Sequence, residues 1–134
     1  MCNSAHDFLG SAQSLVAGAL EIDHRNAASR AYYAAFHNCS SVKHLCPDNA
    51  HLHINAGEHK RLILRFREYP KKQPGSNLAL GISYMLEKMK SDREDADYEI
   101  SVDFPSDRAS LMLSEAKRMF DKTSQFSHCV INTP

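Results

Sequence analysis

Arg30, His37 and His44 recur every seven residues along one predicted helix, with Asn26 and Tyr33 beside them. A step of seven returns to nearly the same side of an α-helix, so these residues form a polar stripe. An arginine holds a phosphate bidentately, and an imidazole exchanges protons near neutral pH. The stripe is therefore either a nucleotide-handling face or a solvated face that fixes helix packing. Arg30 and His37 stand about 10 Å apart along the helix axis, too far to share one phosphate oxygen but close enough to bracket a nucleotide. A second group begins with SDREDADYEISVDF: from Asp92 to Arg108 seven carboxylates face only Arg93 and Arg108. Asp97 and Tyr98 fall within five residues of Arg93. Such a set either anchors a phosphate or ties down a helix end by ion pairs.

The third group has the opposite sign. Lys60, Arg61, Arg65, Arg67, Lys71 and Lys72, opposed by Glu68 alone, give residues 60–72 a net charge of +5, with Phe66 and Tyr69 interleaved. This is the pattern of a phosphate-backbone footprint, or of one half of an electrostatic contact with the acidic stretch. Cys39, His44, Cys46, His51 and His53 fall within fifteen residues but lack the CxxC spacing of structural zinc. Glu21 with His24 is a single ExxH, half of a di-iron bundle pattern with no second copy. No metal and no other cofactor is expected. There is no Walker loop, dinucleotide fingerprint or GxSxG.

Five helices must position these groups. Ser4 with Asp7 opens the first as a capping-box variant, and Phe8, Ala12, Leu15 and Val16 keep one face apolar. The second is capped by Asp23 and runs to Cys46, where Pro47 stops it, with Ala28, Tyr32, Ala35, Cys39, Val42 and Cys46 facing inward. A shorter third follows Asn55 and Glu58 through Leu62, Ile63, Phe66 and Tyr69 to Pro70. Leu78, Ile82, Met85, Leu86 and Met89 make the fourth, with the acidic stretch after it. Pro105 and Ser106 open the fifth, which carries Ala109, Met112, Leu113, Ala116, Met119, Phe120 and Thr123. Ile100, Val102 and Phe104 alternate without a ladder partner and read as an extended leg packing all three side chains inward. From residue 127 the tail is expected to fray. The prediction is an all-α, up-and-down bundle of four main helices plus a short one, a single domain over 1–134.

Sixteen Lys plus Arg balance sixteen Asp plus Glu in 134 residues, which excludes a globally basic nucleic-acid or membrane-surface binder. Cys2, Cys39, Cys46 and Cys129 do not make a secreted disulfide framework, and no apolar run approaches the roughly 18 residues of a membrane span. A cytoplasmic chain with reduced thiols, away from the membrane, is expected.

Two segments together suggest a family. SRAYYAAFH at 29–37, and RxxADY carried by Arg93, Ala96, Asp97 and Tyr98, resemble the small stand-alone HEPN proteins of bacteria and archaea. AGEHKRLILRF, with His59 and Phe66, and the final helix ASLMLSEAKRMF fall in the family's order, so the resemblance spans roughly Ser4 to Thr123. It implies a helical bundle that dimerises, with the arginine motifs lining a cleft at the dimer interface. Many such proteins are metal-independent endoribonucleases, toxins paired with a nucleotidyltransferase antitoxin in defence against phage. Their motif is Arg, four to six residues, then His; here Tyr98 stands five after Arg93, and a tyrosine near its reference pKa of about 10 is a poor base at neutral pH.

The resemblance thus implies a protein acting on RNA, as an endoribonuclease or an RNA binder. Arg93, Asp97, Tyr98, His37 and Arg30 would form its site, and Lys60, Arg61, Arg65 and Arg67 would lie along the RNA backbone. His37 would take the 2′-OH proton, Arg93 or Arg30 would stabilise the phosphorane, and Tyr98 would orient or donate a proton. The alternative it implies is a non-catalytic dimeric partner of a nucleotidyltransferase or another protein. Tyr98 is then a candidate for modification, although Ile100 holds the place where the family's modified tyrosine stands.

Overall fold

Ser4 starts the first helix as its sequence predicts: its backbone N–H donates to Asp7 Oδ2 at 2.7 Å, while Asp7 N–H donates back to the Ser4 hydroxyl. The computed structural model describes residues 3–132, and the helices are α1 (Ala5–Val16), α2 (Glu21–Val42), α3 (Glu58–Arg67), α4 (Ser76–Tyr98) and α5 (Ser106–Ile131). Two 3₁₀ turns, Lys43–Leu45 and Ala50–Leu52, occupy the passage from α2 to α3. No strand occurs among the described residues, and the chain forms an all-α helical bundle. Among the described residues no helix is long and apolar enough to cross a membrane.

α2 is the central helix, packing on α1, α4 and α5, while α3 packs chiefly on α4. A helix with three neighbours needs a wide arc of small side chains rather than one stripe. Ala27, Ala28, Ala31, Ala34 and Ala35 supply that arc and are all buried. Tyr32, Phe36 and Cys39 fill the spaces between them, against Ile82, Leu86 and Met89 of α4 and Met112, Ala116 and Met119 of α5.

The structure departs from the sequence reading at several points. α2 ends at Val42 rather than Cys46, and Lys43–Leu45 form a 3₁₀ turn before Pro47. Asp23 is not the N-cap of α2; that place belongs to Leu20, whose N–H donates to Asp23 Oδ2 at 3.2 Å. α4 does not stop before the acidic stretch but runs through it to Tyr98. No Gly or Pro interrupts residues 82–104, and ion pairs one turn apart support the extension: Lys88 with Asp92, Lys90 with Glu94, Arg93 with Asp97. In the leg that follows, only Phe104 packs inward, at 2% exposure, while Ile100 and Val102 are 76% and 59% exposed. The tail is not frayed from 127: α5 stays helical to Ile131 because Phe126 is fully buried against Phe66 and Tyr69, and Val130 packs on the core.

Carboxylates near a helix C-terminus oppose the helix dipole, and α4 carries four of them in its last seven residues. Arg25 of α2 offsets this. Its buried guanidinium donates from Nη1 to the carbonyl oxygens of Asp95, Ala96 and Glu99 at 3.3, 3.0 and 3.3 Å, and from Nη2 to that of Val102. Its Nε donates to Glu21 at 2.7 Å. Arg108 completes the clamp, donating to Asp92 and Asp95 at 3.1 and 2.6 Å. The Phe104 ring lies between the two guanidinium groups, 5.6 Å from Arg25 and 4.9 Å from Arg108. This clamp holds the end of α4 on which Arg93, Asp97 and Tyr98 sit.

Candidate functional site

The two motif segments meet. Ser29, Tyr32, Tyr33 and Phe36 of α2 follow the three- and four-residue spacing of one helix face, and Arg93 and Asp97 stand one turn apart on α4. The Ser29 hydroxyl donates to Asp97 Oδ2 at 3.4 Å, and Arg93 Nη1 donates to the same oxygen at 3.4 Å. The Arg93 guanidinium carbon lies 5.3, 5.7 and 6.0 Å from the ring centres of Tyr32, Tyr33 and Tyr98. Cation–π attraction and one carboxylate thus hold a charge that is only 9% exposed. Its Nε has no hydrogen-bond partner, so one donor of a buried arginine is unspent.

An imidazole joins this cluster from α3. His59 Nδ1 lies 2.5 Å from the Tyr32 hydroxyl, and its ring stacks on Phe36 at 4.3 Å and on Tyr32 at 5.6 Å. Burial pushes the Tyr32 phenol far above the ordinary tyrosine range, only partly offset by the Arg93 charge. A phenol held protonated, fully buried and with no second acceptor among the described residues donates its hydrogen to Nδ1, which leaves the His59 proton on Nε2. Burial, and then the Arg93 charge, lower the His59 pKa below 6.5, so the ring is neutral at pH 7. Sequence reasoning did not place His59 at the site. Its one signal was its position within AGEHKRLILRF.

His37 and Arg30 lie apart from this cluster. His37 and Arg30 are exposed on the α1 side of α2, with the Phe8 ring 4.8 Å from the His37 ring and 6.0 Å from the Arg30 guanidinium. No hydrogen bond joins His37 to Arg93 among the described residues. Tyr33 stands between them, its ring 5.7 Å from the Arg93 guanidinium and 6.3 Å from the His37 ring. Tyr98 is 71% exposed.

The basic run divides over the surface. Arg67 turns to α4, making two 3.2 Å hydrogen bonds to Glu87, one at 3.3 Å to Ser83 Oγ, and a stack on Tyr84 at 4.5 Å. Arg65 is fixed by bonds of 3.4 and 3.1 Å to the Cys46 carbonyl. It lines one cavity with Arg61, whereas Lys60 lines another near His53. The run does not neutralise the acidic stretch: no ion pair joins residues 60–72 to residues 92–108 among the described residues. Cys39 and Cys46 are buried thiols, and no three His, Cys, Asp or Glu side chains converge as a metal site would need among the described residues.

No protein-family model matches this chain, and comparison with curated proteins and with solved structures yields no match. The functional reading therefore rests on the residues themselves.

Proposed function

We propose that this chain is an HEPN-like protein acting on RNA, a metal-independent endoribonuclease or an RNA binder of toxin–antitoxin or phage-defence type, assembled as a homodimer. The observation that carries the reading is the meeting of the two motif segments, with Ser29, Tyr32 and Tyr33 packed on Asp97 and Arg93. A guanidinium held by three tyrosine rings and one carboxylate, beside a neutral imidazole, suits a phosphodiester. In this reading Arg93 and the Nε2–H of His59 hold the phosphoryl oxygens. His37, beyond Tyr33, brackets the nucleotide and takes the 2′-OH proton. The 2′-oxygen–phosphorus bond forms, the 5′-oxygen leaves with a proton from Tyr98, and a 2′,3′-cyclic phosphate remains.

Incubation of single-stranded RNA with the purified chain in EDTA tests it. Cleavage to cyclic-phosphate ends, lost in Arg93→Ala and in His37→Ala, is expected; cutting unchanged in both variants overturns the mechanism.

One observation favours a second reading. Tyr98, Ile100 and Val102 expose a run of large apolar side chains where the family places its base, and the Arg93 charge is already met by Asp97. That suits a non-catalytic dimeric partner that docks a nucleotidyltransferase, with Tyr98 as an acceptor of a nucleotidyl group. Intact-mass measurement after co-expression with the neighbouring gene decides it, since the absence of an adduct removes Tyr98 modification.

A further inference from the structure

Two exposed apolar groups on this surface each carry unmet charge, and the charges are opposite in sign. The first surrounds a hollow of about 300 Å³ between the 52–56 loop and α3, lined by Leu52, Ile54, Ala56, Leu64 and Lys60 among others. The loop is fixed to the far end of α3. His53 Nε2 lies 2.9 and 2.7 Å from the two Glu68 carboxylate oxygens, and Asn49 Nδ2 donates to one of them at 3.2 Å. Leu52 and Ile54 thereby stand exposed. Lys60, and Lys71 and Lys72 in the loop that leaves α3, are exposed too. None of the three makes a hydrogen bond or ion pair among the described residues.

The second surface is the end of α4 and the leg after it. Arg25 binds the carbonyl oxygens of Asp95, Ala96, Glu99 and Val102. The leg is therefore held by its backbone while Tyr98, Ile100 and Val102 stay exposed. Glu99 and Asp103, next to these side chains in the chain, are exposed, and their carboxylates make no hydrogen bond or ion pair among the described residues. An apolar centre with a charged rim is the make-up of a protein interface, and here the two rims are complementary. Both surfaces are fixed before contact, which lowers the cost of ordering them. Nucleic acid matches only the charge of the first, because Leu52 and Ile54 offer no ring on which a base could stack. A second copy of the chain matches both charge and apolar surface. We propose that the two surfaces bind each other between copies, with Ile100 and Val102 of one copy seated at the Leu52–Ile54 hollow of another. The contact joins unlike surfaces, and so differs from a dimer that sets two Arg93 clusters face to face, which joins like ones. It goes beyond the RNA reading, since it forms whether or not the chain cuts RNA.

Sedimentation velocity of the full chain at rising concentration tests it, in about 10 mM and about 1 M salt, where the Debye length is about 30 and about 3 Å. Association should be at least about tenfold weaker in the higher salt. Lys60→Glu with Lys71→Glu, and separately Glu99→Lys with Asp103→Lys, should each remove this salt-sensitive association. Mixing the two double variants should restore it, because each reversed surface then meets its complement, and restoration also shows that both variants are folded. Val102→Ser, a single change at an exposed position, should weaken the wild-type contact. Growth beyond two chains identifies an open array and a mass that stops at two a closed pair; both uphold the contact. A chain that stays single at about 1 mM, association untouched by the Lys60 and Lys71 reversals, or folded double variants that fail to associate on mixing overturns it.

Discussion

Replacing Arg25 by methionine keeps the aliphatic stem and removes the guanidinium that caps α4. Four carbonyl oxygens, those of Asp95, Ala96, Glu99 and Val102, then lose their donor at once. A hydrogen bond from a charged donor is worth about 1.5–3 kcal/mol, but bonds sharing one guanidinium do not add. Removing Arg25, 4% exposed, leaves no buried charge because Glu21 is 44% exposed. It does orphan carbonyl oxygens at about 1–3 kcal/mol each where they stay buried, a loss of about 4 kcal/mol. For a chain of 134 residues the unfolding entropy is about 0.28 kcal/mol/K, so the melting temperature should fall by about 14 °C. Differential scanning calorimetry reads the shift, and amide exchange should show residues 95–99 opening first. Glu21→Gln is the control: its carboxylate is 44% exposed and the Arg25 carbonyl bonds survive, so the fall is much smaller. Arg25→Lys should rescue little, because one ammonium cannot span carbonyls at both ends of the 95–102 segment. A fall below about 4 °C in Arg25→Met would refute the capping role. Activity on RNA should also drop in that variant, although Arg25 lies outside the Arg93 cluster, since the cap holds the helix end that presents Arg93 and Asp97.

Three further outcomes follow from local geometry. The His59 ring should titrate below 6.5 by NMR, and Arg93→Gln should raise it without restoring 6.5, because burial is the larger cause. A group whose folded pKa is depressed contributes stability that is complete above its unfolded pKa and lost as pH falls toward the folded one. Wild type should therefore lose more stability below pH 6.5 than His59→Gln, as denaturant melts at several pH values would show. Gly75 has φ +85°, and a Cβ there would lie 3.0 Å from Phe126 Cδ1, so Gly75→Ala should cost about 1–2 kcal/mol. Gly81→Ala, in the middle of α4 with nothing nearer than Lys122 Nζ at 4.0 Å, should stabilise by about 0.5–1 kcal/mol in the same melts. Burial pushes the Cys46 thiol up to about 12 and that of Cys39 higher still, so Ellman's reagent at pH 8 should modify neither until denaturant is added.

The parts of this molecule legible in its sequence are those with a local period. Ala28, Tyr32, Ala35 and Cys39 announce the buried face of α2, and Ala109, Met112, Ala116 and Met119 that of α5, because burial repeats at helical spacing. What could not be read is long-range. Arg25 finds its carbonyls 70 to 77 residues away, and His59 finds Tyr32 across 27; neither contact leaves a pattern in neighbouring residues. Two errors share one origin. An acidic run reads as a solvated connection, and alternating Ile100, Val102 and Phe104 read as an inward leg, only if the end of α4 is left uncapped. Once Arg25 binds those carbonyls, the helix continues through the acids and the leg is held by its backbone, so Ile100 and Val102 need no burial.

The same accounting changes the meaning of a zero net charge. Residues 92–108 carry a net charge of −5 that already counts Arg93 and Arg108; from outside the stretch, Lys90 pairs with Glu94 and Lys88 with Asp92. Residues 60–72 carry +5, yet only Arg67 there is met by a carboxylate, that of Glu87. Exposed Lys60, Lys71 and Lys72 and half-buried Arg61 keep their full charge toward solvent. A chain that is neutral by composition therefore keeps separate basic and acidic regions, because no ion pair joins residues 60–72 to residues 92–108 among the described residues. Pairing is local and Coulomb attraction to a polyanion is not, so the exposed cations of residues 60–72 would still act on one although the run is divided over the surface.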